Sequence, residues 1–109
     1  MDWNAYRSAL VSTLGDIGKI SPDILKANAI ISAAAPAKPT LDPKLRELIA
    51  MAVAVTTRCD GCISVHADAA RKAGATKEEL VEVLGIAIAL NTGAALVYSA
   101  RAVDAFEAS

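Results

Sequence analysis

The stretch "KEELVEVLGIAIALN", Lys77 to Asn91, constrains this chain most. At 3.6 residues per turn, Leu80, Val81, Val83, Leu84, Ile86, Ala87, Ile88 and Leu90 cover well over half the circumference of a helix. A helix that is apolar nearly all round must be buried on most sides. A chain of 109 residues offers only a modest core in which to bury it. The chain must therefore wrap other helices around this segment, supply part of the cover from another copy of itself, or do both.

The rest of the sequence is written in the same helical language. Strand alternation is absent and good helix formers fill the periodic stretches. Apolar residues make up 54% of the chain but aromatic residues only 4%, so the core is built from Ala, Val, Leu and Ile and needs close helix packing. Breaks between helices are marked clearly. "SPD" (Ser21–Asp23) and "LDPKLRE" (from Leu41) each place a capping side chain before a proline at the first helical position. "APAKPT" (Ala35–Thr40) is the main linker. "KAGATKEEL" closes one helix at Gly74 and opens the next at Thr76, where Thr76 and Glu79 match a capping box. These signals predict an all-α single domain over 1–109, with about six helices near 2–14, 22–34, 43–57, 60–73, 77–91 and 94–107. Gly93 is read as a turn residue between the last two. Trp3 and Tyr6 are expected to dock the first helix, and Tyr98 and Phe106 to pack the last.

Charge narrows the function. The net charge of −1 provides no basic field for nucleic acid. The run Val83–Tyr98 is slightly short for a membrane span and is interrupted by Asn91, Thr92 and Gly93, so it is read as two buried helical pieces. Asp2 and the absence of a long apolar run near the start argue against a signal peptide, and a cytoplasmic location without membrane partners is expected.

Both cysteines and the only histidine fall within "RCDGCISVH". On a helix, Cys59, Cys62 and His66 lie on one stripe, with Cys62 and His66 at i and i+4. The thiols fall at a helix N-terminus, where free N–H groups and the helix dipole favour a thiolate, and Arg58 adds a nearby positive charge. A C-x-x-C pair can close a reversible disulfide, as thiol–disulfide exchange requires. Other readings remain open on spacing alone. These are a three-ligand zinc site of Cys59, Cys62 and His66, two inert buried thiols beside a surface histidine, and a redox-sensing scaffold without turnover. Glu47 lies on a stripe with Met51, Ala54 and Val55. Periodicity favours a surface ion pair with Lys44 at i−3 over a buried carboxylate with a partner.

The segment from Leu41 to Gly93 resembles the core of the carboxymuconolactone decarboxylase family, in its alkylhydroperoxidase AhpD-like branch. The pattern is E-x(11)-C-x-x-C-x-x-x-H, carried as Glu47, Cys59, Cys62 and His66. It is followed by Ala70, Gly74, Ala75, Thr76, Glu78, Glu79 and Glu82 in A-x-x-x-G-A-T-x-E-E-[LIV]-x-E. The resemblance implies an AhpD-like helical bundle assembled as a homo-oligomer, often a trimer or hexamer. It also implies a thiol-dependent peroxidase or disulfide reductase acting on a hydroperoxide or disulfide substrate, with no bound cofactor. In that scheme Cys62 attacks and Cys59 resolves the product as a Cys59–Cys62 disulfide. His66 backed by Glu47 relays the proton, and an external lipoyl or thioredoxin-like dithiol reduces the disulfide. One departure stands out. The best-known peroxidase members carry a second histidine just before the second cysteine, where this chain has Gly61 after Asp60. The decarboxylase branch, which generally lacks the cysteine pair, is the poorer match.

Overall fold

A computed structural model describes residues 1–109. It contains five helices and no strand: α1 (Trp3–Ile20), α2 (Pro22–Ser32), α3 (Pro43–Thr57), α4 (Asp60–Lys72) and α5 (Lys77–Ala108). Two of the three expected caps form, while Ser21 precedes α2 without a side-chain capping bond. Asp42 accepts from the Leu45 N–H at 2.8 Å and opens α3. At α5, Thr76 Oγ1 accepts from the Glu79 N–H while Glu79 Oε1 accepts from the Thr76 N–H, a complete capping box. Gly74 closes α4 at φ +91°, which lets the Ala75 N–H reach Ala70 O and the Gly74 N–H reach Arg71 O. That Schellman ending requires the left-handed conformation that glycine adopts without a Cβ penalty.

Two expectations about length are corrected. Helix 1 does not stop near residue 14 but runs through Gly15 to Ile20. Gly18 is used there, because a Cβ on it would lie 3.2 Å from Leu25 Cγ of α2. The predicted helices 77–91 and 94–107 are one helix, so the bundle has five helices where about six were expected. Asn91, read as a breaker, directs its amide N–H groups to Ala87 O (2.7 Å) and Thr56 Oγ1 (2.9 Å), satisfying itself on α5 and tying it to α3. Gly93 is a helical residue. Its penalty of about 1 kcal/mol against alanine is too small to interrupt a helix that propagates from both sides. Joined in this way, α5 is long and apolar enough, by length and composition, to cross a membrane, contrary to the reading of two short pieces.

Helix α3 is the hub. It packs on α4 and α5, α4 packs on α1, and α1 forms a hairpin with α2. Only Leu48, Met51, Ala54, Ser64, Ala70 and Ala87 are buried, and they follow the α3 face toward α4 and α5. Lys44 Nζ binds Glu79 Oε2 at 2.8 Å, joining the first turns of α3 and α5. Arg46 donates to Ser32 O and Ala34 O and so fixes the end of α2 beside α3.

The protomer is open. Its radius of gyration is 18.0 Å, against about 13 Å for a compact chain of this length. It exposes 8422 Å², where roughly 5,700 Å² is usual for its mass. Tyr98 and Phe106 do not pack on the core and are 69% and 83% exposed, Tyr98 being met by Arg101 of its own helix 5.2 Å from the ring centroid. Trp3 and Tyr6 meet each other edge to face, with centroids 6.0 Å apart.

Candidate functional site

The α3–α4 turn positions the cysteines. Arg58 ends α3 in the left-handed conformation (φ 54°, ψ 50°), and the following N–H, that of Cys59, donates back to Ala54 O at 3.1 Å. This reverses the chain within one residue. Cys59 then caps α4, its Sγ accepting the Cys62 N–H at 3.1 Å. The cap is thus Cys59, and Asp60 occupies the first helical position, where its charge suits the helix dipole. Cys59 and Cys62 are disulfide-bonded, with Cα atoms 5.2 Å apart, and both residues are half-buried.

One turn beyond Cys62, the His66 Nδ1 lies 2.7 Å from Glu47 Oε2. The surface pair of Glu47 with Lys44 does not form, because Lys44 is taken by Glu79. The Glu47 side chain is 22% exposed and that of His66 38%, so the pair is partly shielded while the ring keeps a path to solvent. An ionised carboxylate only accepts hydrogen bonds. The contact engages Nδ1 and leaves Nε2 as the ring nitrogen free of the carboxylate. All four residues expected at the site thus fall on the paired faces of α3 and α4: two bonded sulfurs at the N-terminus of α4 and a carboxylate–imidazole pair one turn away. No group of three His, Cys, Asp or Glu side chains is arranged to hold a metal ion.

Helix α1 supplies residues that the sequence pattern did not single out. Arg7 Nη1 donates to Ser64 O at 2.8 Å, its Nη2 donates to Asn4 Oδ1 at 2.9 Å, and it pairs with Asp68 at 3.7 Å. Ser64, 2% exposed, donates its hydroxyl to Gly61 O. Leu10 lies over Gly61, where a Cβ would come within 2.8 Å of Leu10 Cδ2. The position occupied by a second histidine in peroxidase members is here covered by α1. Arg7 carried no periodic signal, since a charged residue on an amphipathic helix reads as solvated until its partner helix is known. The Asp68 carboxyl is held below its ordinary value, chiefly by a hydrogen bond from Lys72 and also by Arg7. The Glu79 carboxyl is lowered mainly by its hydrogen bond from Lys44, which is raised in turn.

Comparison with known proteins agrees with this architecture. The model of the carboxymuconolactone decarboxylase family matches residues 22–105. An uncharacterised protein of Haemophilus influenzae is 50% identical over 105 residues, covering 96% of this chain and 93% of the relative. Uncharacterised protein 4 in the cox locus of Paracoccus denitrificans is 34% identical over 91 residues, covering 84% and 82%. A crystal structure of an apo carboxymuconolactone decarboxylase family protein from Legionella pneumophila superposes with a TM-score of 0.75 at 37% identity, covering 96% of this chain and 94% of that one. Helix order, the paired faces of α3 and α4 and these matches lead to one conclusion: the chain belongs to the carboxymuconolactone decarboxylase family.

Proposed function

We propose that the protein is a thiol-dependent oxidoreductase of the alkylhydroperoxidase or disulfide reductase type, working through the Cys59–Cys62 dithiol. The observation that carries this reading is the 2.7 Å Glu47–His66 contact one helical turn from a bonded cysteine pair. An inert pair of thiols has no use for a histidine held in place by a carboxylate.

In the reduced protein, His66 Nε2 accepts the Cys62 proton, and Glu47 holds the ring and stabilises the imidazolium. The Cys62 thiolate attacks the terminal oxygen of a hydroperoxide. The O–O bond breaks, Cys62 becomes a sulfenic acid, and the leaving alkoxide takes the proton from His66 and departs as the alcohol. Cys59 then attacks the Cys62 sulfur, water leaves, and the disulfide forms. An external dithiol of lipoyl or thioredoxin type reduces it by exchange and is itself oxidised to a disulfide. Such a donor is kept reduced in the cytoplasm, which is where this cycle is placed.

The catalytic unit in this reading is a homo-oligomer, a trimer or hexamer. The surplus exposed surface, about 2,700 Å² per chain against a compact monomer, is of the size that permanent subunit interfaces bury. The apolar groove of about 490 Å³ between α3 and α5, walled by Ile49, Val53, Val83, Ile86 and Leu90, is part of that surface.

Turnover of an organic hydroperoxide with a dithiol donor tests the function. Cys62→Ser is expected to abolish it and His66→Gln to reduce it about a hundredfold. Wild-type rates in both variants would remove the assignment. Reversible disulfide formation with altered assembly but negligible turnover in the native protein would instead indicate a redox sensor.

A further inference from the structure

The backbone between the two cysteines is held on the side away from the sulfurs. At about 100° per residue, Gly61, Ser64 and Asp68 share one stripe of α4, and Cys59, Cys62 and His66 share another roughly opposite to it. Among the helices, α1 packs only on α2 and α4, and it meets α4 on the first stripe. The two run antiparallel: Leu10 lies against Gly61, and Arg7, one turn earlier, reaches Ser64 and Asp68. Arg7 Nη1 donates to Ser64 O at 2.8 Å, and the Ser64 hydroxyl donates to Gly61 O at 2.8 Å. Arg7 is itself aimed by Asn4 Oδ1 at 2.9 Å and Asp68 at 3.7 Å, and its side chain is 26% exposed. A guanidinium steered by two side chains onto the carbonyl of a buried residue is a clamp, not a solvated surface charge.

Cys59 and Cys62 can bond only while the residues between them hold both sulfurs on one side of the turn. Their Cα atoms are 5.2 Å apart in the disulfide form. The path from Arg7 through Ser64 to Gly61 fixes that stretch of backbone from α1. In the reduced protein the same brace keeps the thiols close, so the second sulfur acts at high effective concentration. We propose that Arg7 is a positioning residue for the dithiol: by holding Gly61 through Ser64 it favours the Cys59–Cys62 disulfide over the open dithiol and sets the reduction potential of the pair. Its use in turnover rests on the oxidoreductase reading, while the potential is a property of the dithiol itself.

To test this, the full-length protein is equilibrated with mixtures of dithiothreitol and its cyclic disulfide, and the disulfide fraction is read by alkylation and mass spectrometry. In each exchange two electrons and two protons pass from dithiothreitol to the protein, the protein S–S bond breaks, and the reagent closes its own. Arg7→Gln is expected to shift the equilibrium about five- to tenfold toward the dithiol, a potential about 20–30 mV higher. Ser64→Ala, which keeps Arg7 and removes only the hydroxyl on Gly61 O, should shift it the same way. Denaturant unfolding of both redox forms separates positioning from plain support: Arg7→Gln should destabilise the oxidised form more than the reduced one. An unchanged equilibrium whatever the loss of stability, a shift toward the disulfide, or a shift in one variant without the other would each overturn the proposal. If Arg7→Gln does not fold, Ser64→Ala decides alone. No hydroperoxide enters the measurement. An unchanged potential would therefore leave the peroxidase reading standing, and absence of peroxidase turnover would leave the potential shift intact.

Discussion

Cys59 serves two structural purposes before any chemistry. Its N–H closes the end of α3 and its sulfur opens α4, so the turn that reverses the chain also aims the dithiol. Cys62 and His66 follow on the same helical stripe, and their grouping was legible from spacing alone. Glu47 was not. Read by periodicity it belonged with Lys44, and only the family pattern placed it behind His66. The structure supplies the physical reason: the capping-box glutamate of α5 draws Lys44 away and leaves the Glu47 carboxylate facing α4. In the proposed cycle Glu47 acts through the ring, so Glu47→Gln is expected to lower turnover about 10- to 100-fold while leaving the disulfide able to form. Steady-state rates with a thiol count after oxidation check this. A rate equal to wild type would show that the ring needs no carboxylate.

At the scale of elements, local signals recovered the helix starts at Pro22, Pro43 and Thr76 and the glycine stop at Gly74, because Asp42 and Thr76 are satisfied by neighbours in sequence and proline suits a first helical turn even where, as at Ser21, no side-chain cap forms. The break at Asn91–Gly93 was misread because Asn91 is satisfied by Thr56 of another helix, which no local pattern can reveal. Two glycines therefore respond in opposite ways. Gly93→Ala, in a helix with nothing within 4 Å of the new Cβ, should stabilise by about 0.5–1 kcal/mol. Gly74→Ala, at φ +91°, should destabilise by about 1 kcal/mol or more. Denaturant midpoints distinguish the two, and equal shifts would contradict the geometry. Ion pairs within and between elements also shape the acid limb of stability. Glu79 and Asp68 have folded pKa values below their ordinary 4.5 and 3.8, so their stabilisation is present above those values and is lost as pH falls through the lowered folded values. Lys44, raised above 10.5, contributes below that value and loses its effect as pH rises through its folded one. Glu79→Gln should accordingly flatten the acid limb of stability between pH 4.5 and lower values. An unchanged limb in thermal melts would remove the Lys44–Glu79 pair from the account.

At the scale of the molecule, the same apolar excess that made the 77–91 segment conspicuous remains uncovered after folding. The chain folds around α3, yet Phe106 and much of the outer face of α5 stay exposed, and Tyr98 is met only by Arg101 of its own helix. The sequence carried the need for cover but not its source, since the surface that covers a helix face leaves no local signature in it. Analytical ultracentrifugation without detergent should show a multiple of 11.2 kDa, three or six chains, and Val53→Asp in the α3–α5 groove should shift it toward smaller species. A monomer stable in plain buffer would contradict the assembly. The central claim concerns the dithiol, and it is tested most directly in a single turnover. Fully reduced protein is mixed with one equivalent of an organic hydroperoxide, and formation of the Cys59–Cys62 disulfide is followed against time. The expected result is stoichiometric disulfide at a rate far above that of a free thiol, slowed in His66→Gln and absent in Cys62→Ser. Oxidation of the native protein no faster than that of a free thiol would contradict it.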